Sequence, residues 1–340
     1  MRLKKLIFGF VAFVTLVPWL AFGAEGSFVF PIDCTVGKTC WIANYVDLKP
    51  GKGVVDYACG TATYDALPGN QHKGTDIALQ DMAAVRRGVE VRAVERGIVV
   101  GVRDGVPDIN IKDRKTAPAS NRACGNGVRL QHLNGLVTQY CHMKKGSISV
   151  KSGAQVEQGQ RLGLVGLSGL TSFPHLHFQV TKINAKGDKT IIDPFAGLDR
   201  KTACGVGENP LWTAHALAHA PYQPTAIYNV GFVDKKPDFT AISQGLYKAE
   251  VFPTTVPVLV LWAEFFRVEG GDELTFEITT PTGHTLHKQT LPIKSKKSHY
   301  VAFSGLRIKS PNLTPGIYEG TVSLRRAQKT ITTRRKIIIQ

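Results

Sequence analysis

After residue 22 the sequence holds no apolar run long enough to span a bilayer, which excludes a bundle of membrane-spanning helices. It has no C-x-x-C pair, so a cysteine-built zinc knuckle is not expected. It has no G-x-S-x-G motif either. Ser168 lies in Gly166-Leu-Ser-Gly169, where the glycines are wrongly spaced for a nucleophile elbow. No internal repeat or low-complexity tract stands out. Acid is scarce: 26 Asp and Glu face 42 Lys and Arg, a formal net charge of +16. Cysteine is absent beyond Cys204, which hints that the last third of the chain is a separate unit.

What is present fits a globular protein. A length of 340 residues suggests about two domains at roughly 150 residues each. Hydrophobic content of 43% and charged content of 20% permit a sizeable core. Residues 1–23 read as a signal peptide: a basic start with Arg2, Lys4 and Lys5, an apolar run from Leu6 to Phe22, and small residues around Gly23. The competing reading is an uncleaved anchor. Cleavage removes three cations and no acid, leaving +13 (16 − 3). Such a basic mature protein suits an anionic partner, although solubility alone would also account for the charge. No nucleic-acid module is visible, and export argues against nucleic acid. The expected location is periplasmic or secreted.

Six cysteines, an even number in an exported chain, point to disulfides. They allow 15 connectivities, among which sequence alone does not choose. Cys34 with Cys40 would close a short loop. Cys124 with Cys141 would tie the two strands of a hairpin.

From about Val89 to Phe195 short apolar stretches alternate with glycine turns, a β pattern. Gly127–Leu133 and Leu136–His142 flank Asn134-Gly135, the strongest short hairpin signal. Asp104–Arg122, with two prolines and several charges, reads as a surface insertion. The expected organisation is mainly β: a compact β-barrel or sandwich in 24–200 (core about 60–195), a connector over 201–240, and an immunoglobulin-like β-sandwich over 241–340. In the last segment we expect strands at Val256–Phe266, Glu273–Thr280, Tyr300–Leu306, Gly316–Leu324 and Thr330–Ile339.

Three clusters carry chemistry: His72-Lys-Gly-Thr-Asp76, Tyr140-Cys-His142, and Pro174-His175-Leu-His177. On a strand, His175 and His177 share a face. If the first cluster is extended, His72, Gly74 and Asp76 do the same, and Gly74 leaves room between the other two. Two imidazoles and one carboxylate suit a zinc ion with a fourth position open to water. Two further histidines are then free to move a proton or donate to an oxyanion. Each cluster alone is commonplace; their order and spacing are not. His215 and His219 read as one face of a partly exposed helix, and His284, His287 and His299 as surface residues. Trp212 and Trp262 read as core.

The three clusters together resemble the signatures of the lysostaphin/LytM-type zinc metallopeptidases, as does the glycine-rich approach Gly159–Gly169. That resemblance covers about residues 60–195. It implies Zn²⁺ as cofactor, His72, Asp76 and His177 as its ligands, His142 and His175 as catalytic residues, and peptide cross-links of peptidoglycan as substrate. Two rivals are a non-catalytic wall-binding activator and a secreted proteinase acting on host or competitor proteins. Cys141 before His142 and the 104–122 insertion depart from the family pattern.

Overall fold

A computed structural model describes residues 26–67, 70–115, 120–199, 204–309 and 312–340. The leader expected over residues 1–23 lies outside the described residues. Among the described residues no helix is long and apolar enough to cross a membrane.

The first unit is built on one antiparallel sheet. Its strands lie side by side in the order Cys40–Asn44, Thr75–Leu79, His175–Ile183, Leu136–Met143, Asn126–Gln131, Gly97–Arg103 and Gln155–Val156, with Lys189–Ile192 also paired to the His175 strand. The His175 strand shows why the sheet forms. Leu176, Phe178 and Val180 are fully buried on one face, while His175, His177 and Gln179 occupy the other. The apolar faces close over a core containing Phe28, Tyr45, Tyr140, Phe195 and Trp212. Burying each such side chain contributes about 1.5–3 kcal/mol. The Asn134-Gly135 hairpin joins Asn126–Gln131 to Leu136–Met143 as expected, with Gly135 at φ 78°.

The second unit consists of two sheets sharing one core. One contains Ala226–Val233, Val258–Val268 and Lys297–Arg307. The other contains Val251–Phe252, Lys329–Ile339, Gly316–Arg326, Glu273–Thr279 and Thr285–Pro292. Leu261, Phe265, Phe276, Tyr318, Val322 and Ile337 meet between them. Trp262 is also buried, as expected of a core residue.

The 201–240 segment, read as a connector from its prolines, serves both units. Leu211, Trp212 and the helix Ala214–His219 pack on the first core. Ala226–Val233 pairs with Val258–Val268 in the second unit. The two units meet through Trp41, Ala43, Ala78, Tyr228 and Phe266. Arg267, 2% exposed, crosses this contact and donates to the carbonyls of Ile42, Gln223 and Pro224.

All six cysteines are paired: Cys34–Cys40, Cys124–Cys141 and Cys59–Cys204. The first two are the pairings that loop and hairpin geometry suggested. The third spans 145 residues of sequence and joins the segment before the site to the one after it.

Candidate active site

All five residues singled out in the sequence converge on the polar face of the first sheet. Strand register brings them together. His177 lies opposite Asp76 on one side and Cys141 on the other, and Asn44 lies opposite Asp76. His72 comes from the turn before the Asp76 strand.

The donor atoms are close. His72 Nε2 is 3.3 Å from His177 Nδ1 and 3.2 Å from Asp76 Oδ2. His177 Nδ1 is 2.8 Å from Asp76 Oδ1. Zinc–nitrogen distances of about 2.0–2.1 Å imply tetrahedral edges of about 3.3–3.4 Å. The cluster His72, Asp76 and His177 therefore fits a zinc ion by donor chemistry and by spacing.

The surrounding groups orient these donors. His72 Nδ1 lies 2.7 Å from the Tyr45 carbonyl, so it carries the proton and leaves Nε2 free to ligate. Asn44 Nδ2 donates to Asp76 Oδ2 at 2.9 Å. Gly74 is required between His72 and Asp76. A Cβ there would lie 2.7 Å from both Cε1 and Nε2 of His177 and from the Phe178 carbonyl.

His142 joins the site through a break in strand alternation. Its neighbour Tyr140 is in the core and Cys141 faces the site, so regular alternation would turn His142 inward. A bulge intervenes: Val128 pairs with Tyr140 but Asn126 pairs with Met143. His142 adopts φ 61°, and its N–H donates to the Cys124 carbonyl at 2.8 Å. Left-handed backbone at a non-glycine residue costs of order 1 kcal/mol or more. The Cys124–Cys141 disulfide beside it holds that geometry. His142 Nδ1 then lies 2.7 Å from the Ser168 carbonyl, which leaves Nε2 for chemistry. Ser168 is thus a positioning group; its Oγ donates to Met143 O and accepts from Asn126 N.

His175 stacks on Phe173, with ring centroids 4.4 Å apart. Its Nδ1 faces Phe173 O at 3.0 Å and Thr171 Oγ1 at 3.1 Å, and its Nε2 faces Asp76 Oδ1 at 3.4 Å. The rings of His142 and His175 are 4.6 Å apart.

Burial dominates the electrostatics. It pushes the His142 imidazole well below its ordinary range, and the neighbouring His175 and His177 push the same way. Burial also lowers His177, against the opposing pull of Asp76. Burial alone would raise Asp76, but His72 and His175 outweigh it and hold the carboxyl well below the usual range. For His72, burial lowers the pKa and the Asp76 carboxylate more than reverses this, a net rise.

Several site groups carry no sequence signal. Asn44 and Tyr45 belong to none of the three clusters. Tyr64 stacks on His72 at 4.5 Å while remaining 38% exposed to the groove. The 104–122 insertion clasps the loop beside the site: Asp108 accepts from Leu167 N and Lys145 N, and Asn110 donates to Ser172 O. The other histidines lie outside the cluster. His219 faces the Cys34 carbonyl, and His287 faces Ser304. His299 faces the buried Glu264 carboxylate at 3.1 Å, supplied by a strand distant in sequence.

Residues 70–194 match the family model described as Peptidase family M23. The cell division protein DipM of Caulobacter vibrioides is 36% identical over 107 residues, which is 31% of this chain and 17% of that protein. The peptidoglycan DD-endopeptidase ShyA of Vibrio cholerae is 34% identical over 109 residues, 32% of this chain and 20% of that protein. This chain therefore covers a fifth or less of either relative's length. A solved structure of the lysostaphin catalytic domain from Staphylococcus simulans is 25% identical, covers 38% of this chain and 80% of that chain, and superposes with a TM-score of 0.26. The matched stretch contains all five histidine and aspartate residues of the site, and residues 70–194 are a peptidase family M23 domain.

Proposed function

We propose that this chain is an exported zinc metalloendopeptidase that hydrolyses peptide cross-links of bacterial peptidoglycan. The observation that carries this reading is the His72–Asp76–His177 cluster, with donor separations of 2.8–3.3 Å and two further histidines beside it. The ligands are His72 Nε2, an Asp76 carboxylate oxygen and His177 Nδ1. A zinc ion bound there supplies Lewis acidity and lowers the pKa of a water towards about 7. The chain's own residues do the rest. His142, kept neutral by burial with its Nδ1 proton committed to Ser168 O, takes up a proton at Nε2. His175, whose two ring nitrogens both face oxygens, donates from Nε2 to the developing oxyanion.

The substrate assignment draws support from ShyA, whose name records peptidoglycan endopeptidase activity. Three disulfides support an oxidising compartment. We further propose 24–200 as the body of the peptidase unit, 201–240 as a joining segment that contributes to both units, and 241–340, together with Ala226–Val233, as an accessory sandwich that steadies the site. Phe266 of the sandwich packs on Phe173, which stacks on His175.

The test compares wild type with Asp76→Ala on purified sacculi and on casein, with zinc measured in both proteins. The proposal requires zinc in the wild type, little in the variant, and solubilisation of sacculi by the wild type alone. Zinc-loaded wild type that binds sacculi without cleaving them would support the activator reading instead.

A further inference from the structure

The groove beside the histidines has a floor that can be read from register. Gln179, Gln139, Arg129 and Gly101 are successive cross-strand partners over four strands. His177 and Cys141 are partners two residues along their strands from Gln179 and Gln139. This floor opens into a cavity of about 570 Å³ that extends from His142 and His177 to Arg103. The space over Gly101 is open: a Cβ there would meet only the Arg129 side chain, at 3.9 Å.

Three cations line the cavity, Lys73, Arg103 and Arg129, and among the described residues no Asp or Glu does. Arg129 is exposed, and its side chain makes no hydrogen bond or ion pair among the described residues. Arg103 donates one N–H, to the Asn121 carbonyl at 3.1 Å, which leaves most of its guanidinium free. Cations gathered in a concave site without counter-charge favour an anionic ligand, and a guanidinium matches a carboxylate in shape.

Resting on the peptidase reading of this site, we propose that Arg129, assisted by Arg103, selects peptides carrying a free carboxylate near the scissile bond. Arg129 lies two strands across and two residues along from His177. At about 4.8 Å per strand and 3.3 Å per residue, that is about 12 Å. An extended peptide covers this distance in about three to four residues, and the reach of the arginine side chain shortens it. The carboxylate therefore sits about two to four residues from the bond that is cut. Arg129 is a specificity residue, since it touches substrate at a distance from the reacting atoms.

The experiment uses the full, metal-loaded chain and cross-linked peptide dimers isolated from peptidoglycan, either native or with their carboxylates converted to amides. Wild type is expected to favour the native dimer about tenfold in kcat/KM. Arg129→Gln is expected to reduce this preference to about twofold or less, mainly through KM, and Arg129→Glu to invert it. The preference should weaken as salt rises. A wild-type ratio near one, or an unchanged ratio in Arg129→Gln, overturns the proposal. Fluorescence anisotropy with labelled dimers provides a second readout that does not need turnover. If neither dimer is cut, the peptidase reading fails, but native and amidated dimers binding wild type equally would separately refute the role of Arg129.

Discussion

Gly74→Ala is the smallest change that should disable the site while leaving the fold in place. The added methyl would lie 2.7 Å from two atoms of the His177 ring and from the Phe178 carbonyl, where ordinary contact begins at 3.4 Å. Something must move by about 0.7 Å. The Phe178 carbonyl is fixed in the sheet, so the His177 ring and the turn carrying His72 must yield. Overpacking of this kind costs about 1–3 kcal/mol of stability. The larger effect is on the ligands, because a functional constellation tolerates only about 0.5 Å of displacement. We expect zinc affinity to fall at least about tenfold and turnover about a hundredfold. Competition with a chromophoric zinc chelator gives the affinity, and thermal denaturation of the metal-free protein gives the stability. Zinc affinity within about twofold of wild type would refute the argument, because it would mean that His177 does not need the space Gly74 leaves.

The remaining expectations concern ligands, support and staples. His177→Ala should lose most bound zinc by metal analysis. His142→Ala and His175→Ala should keep zinc and lose turnover by about 10²–10⁴-fold in a peptide-release assay. Asn44→Ala removes the hydrogen bond to Asp76 Oδ2 and should weaken zinc binding by about 10–100-fold in the chelator competition. In denaturant melts, replacing Cys59 and Cys204 by serine should destabilise more than replacing Cys34 and Cys40. The sequence separations are 145 and 6, and chain entropy gives about 5 against about 2 kcal/mol.

The site was largely legible because its chemistry is concentrated in short motifs. Strand alternation places His175 with His177, and the gap at Gly74 was visible as a residue without a side chain. The left-handed turn at His142 was not visible. It depends on a bulge set by register against Asn126–Gln131, and register is a property of two strands. Arg129 carried no motif either, since its place in the groove follows from partners that are distant in sequence. In the second unit the expected strands lie within a few residues of those found. The strand Thr285–Pro292 was missed because it is a mostly exposed edge with no apolar alternation. Ala226–Val233 was hidden in a proline-bearing segment whose neighbours belong to the other unit. The Cys59–Cys204 pairing had no local signal, because its partners are 145 residues apart.

The most direct test of the central claim is product analysis of purified sacculi digested by the zinc-loaded protein. Mass spectrometry with end-group assays should find new free amino groups at peptide cross-links and no new reducing sugar ends. A chelator should abolish the release, and serine-directed β-lactams should leave it unchanged. New reducing ends would contradict the account by showing glycan cleavage, and so would intact sacculi beside efficient hydrolysis of a soluble protein.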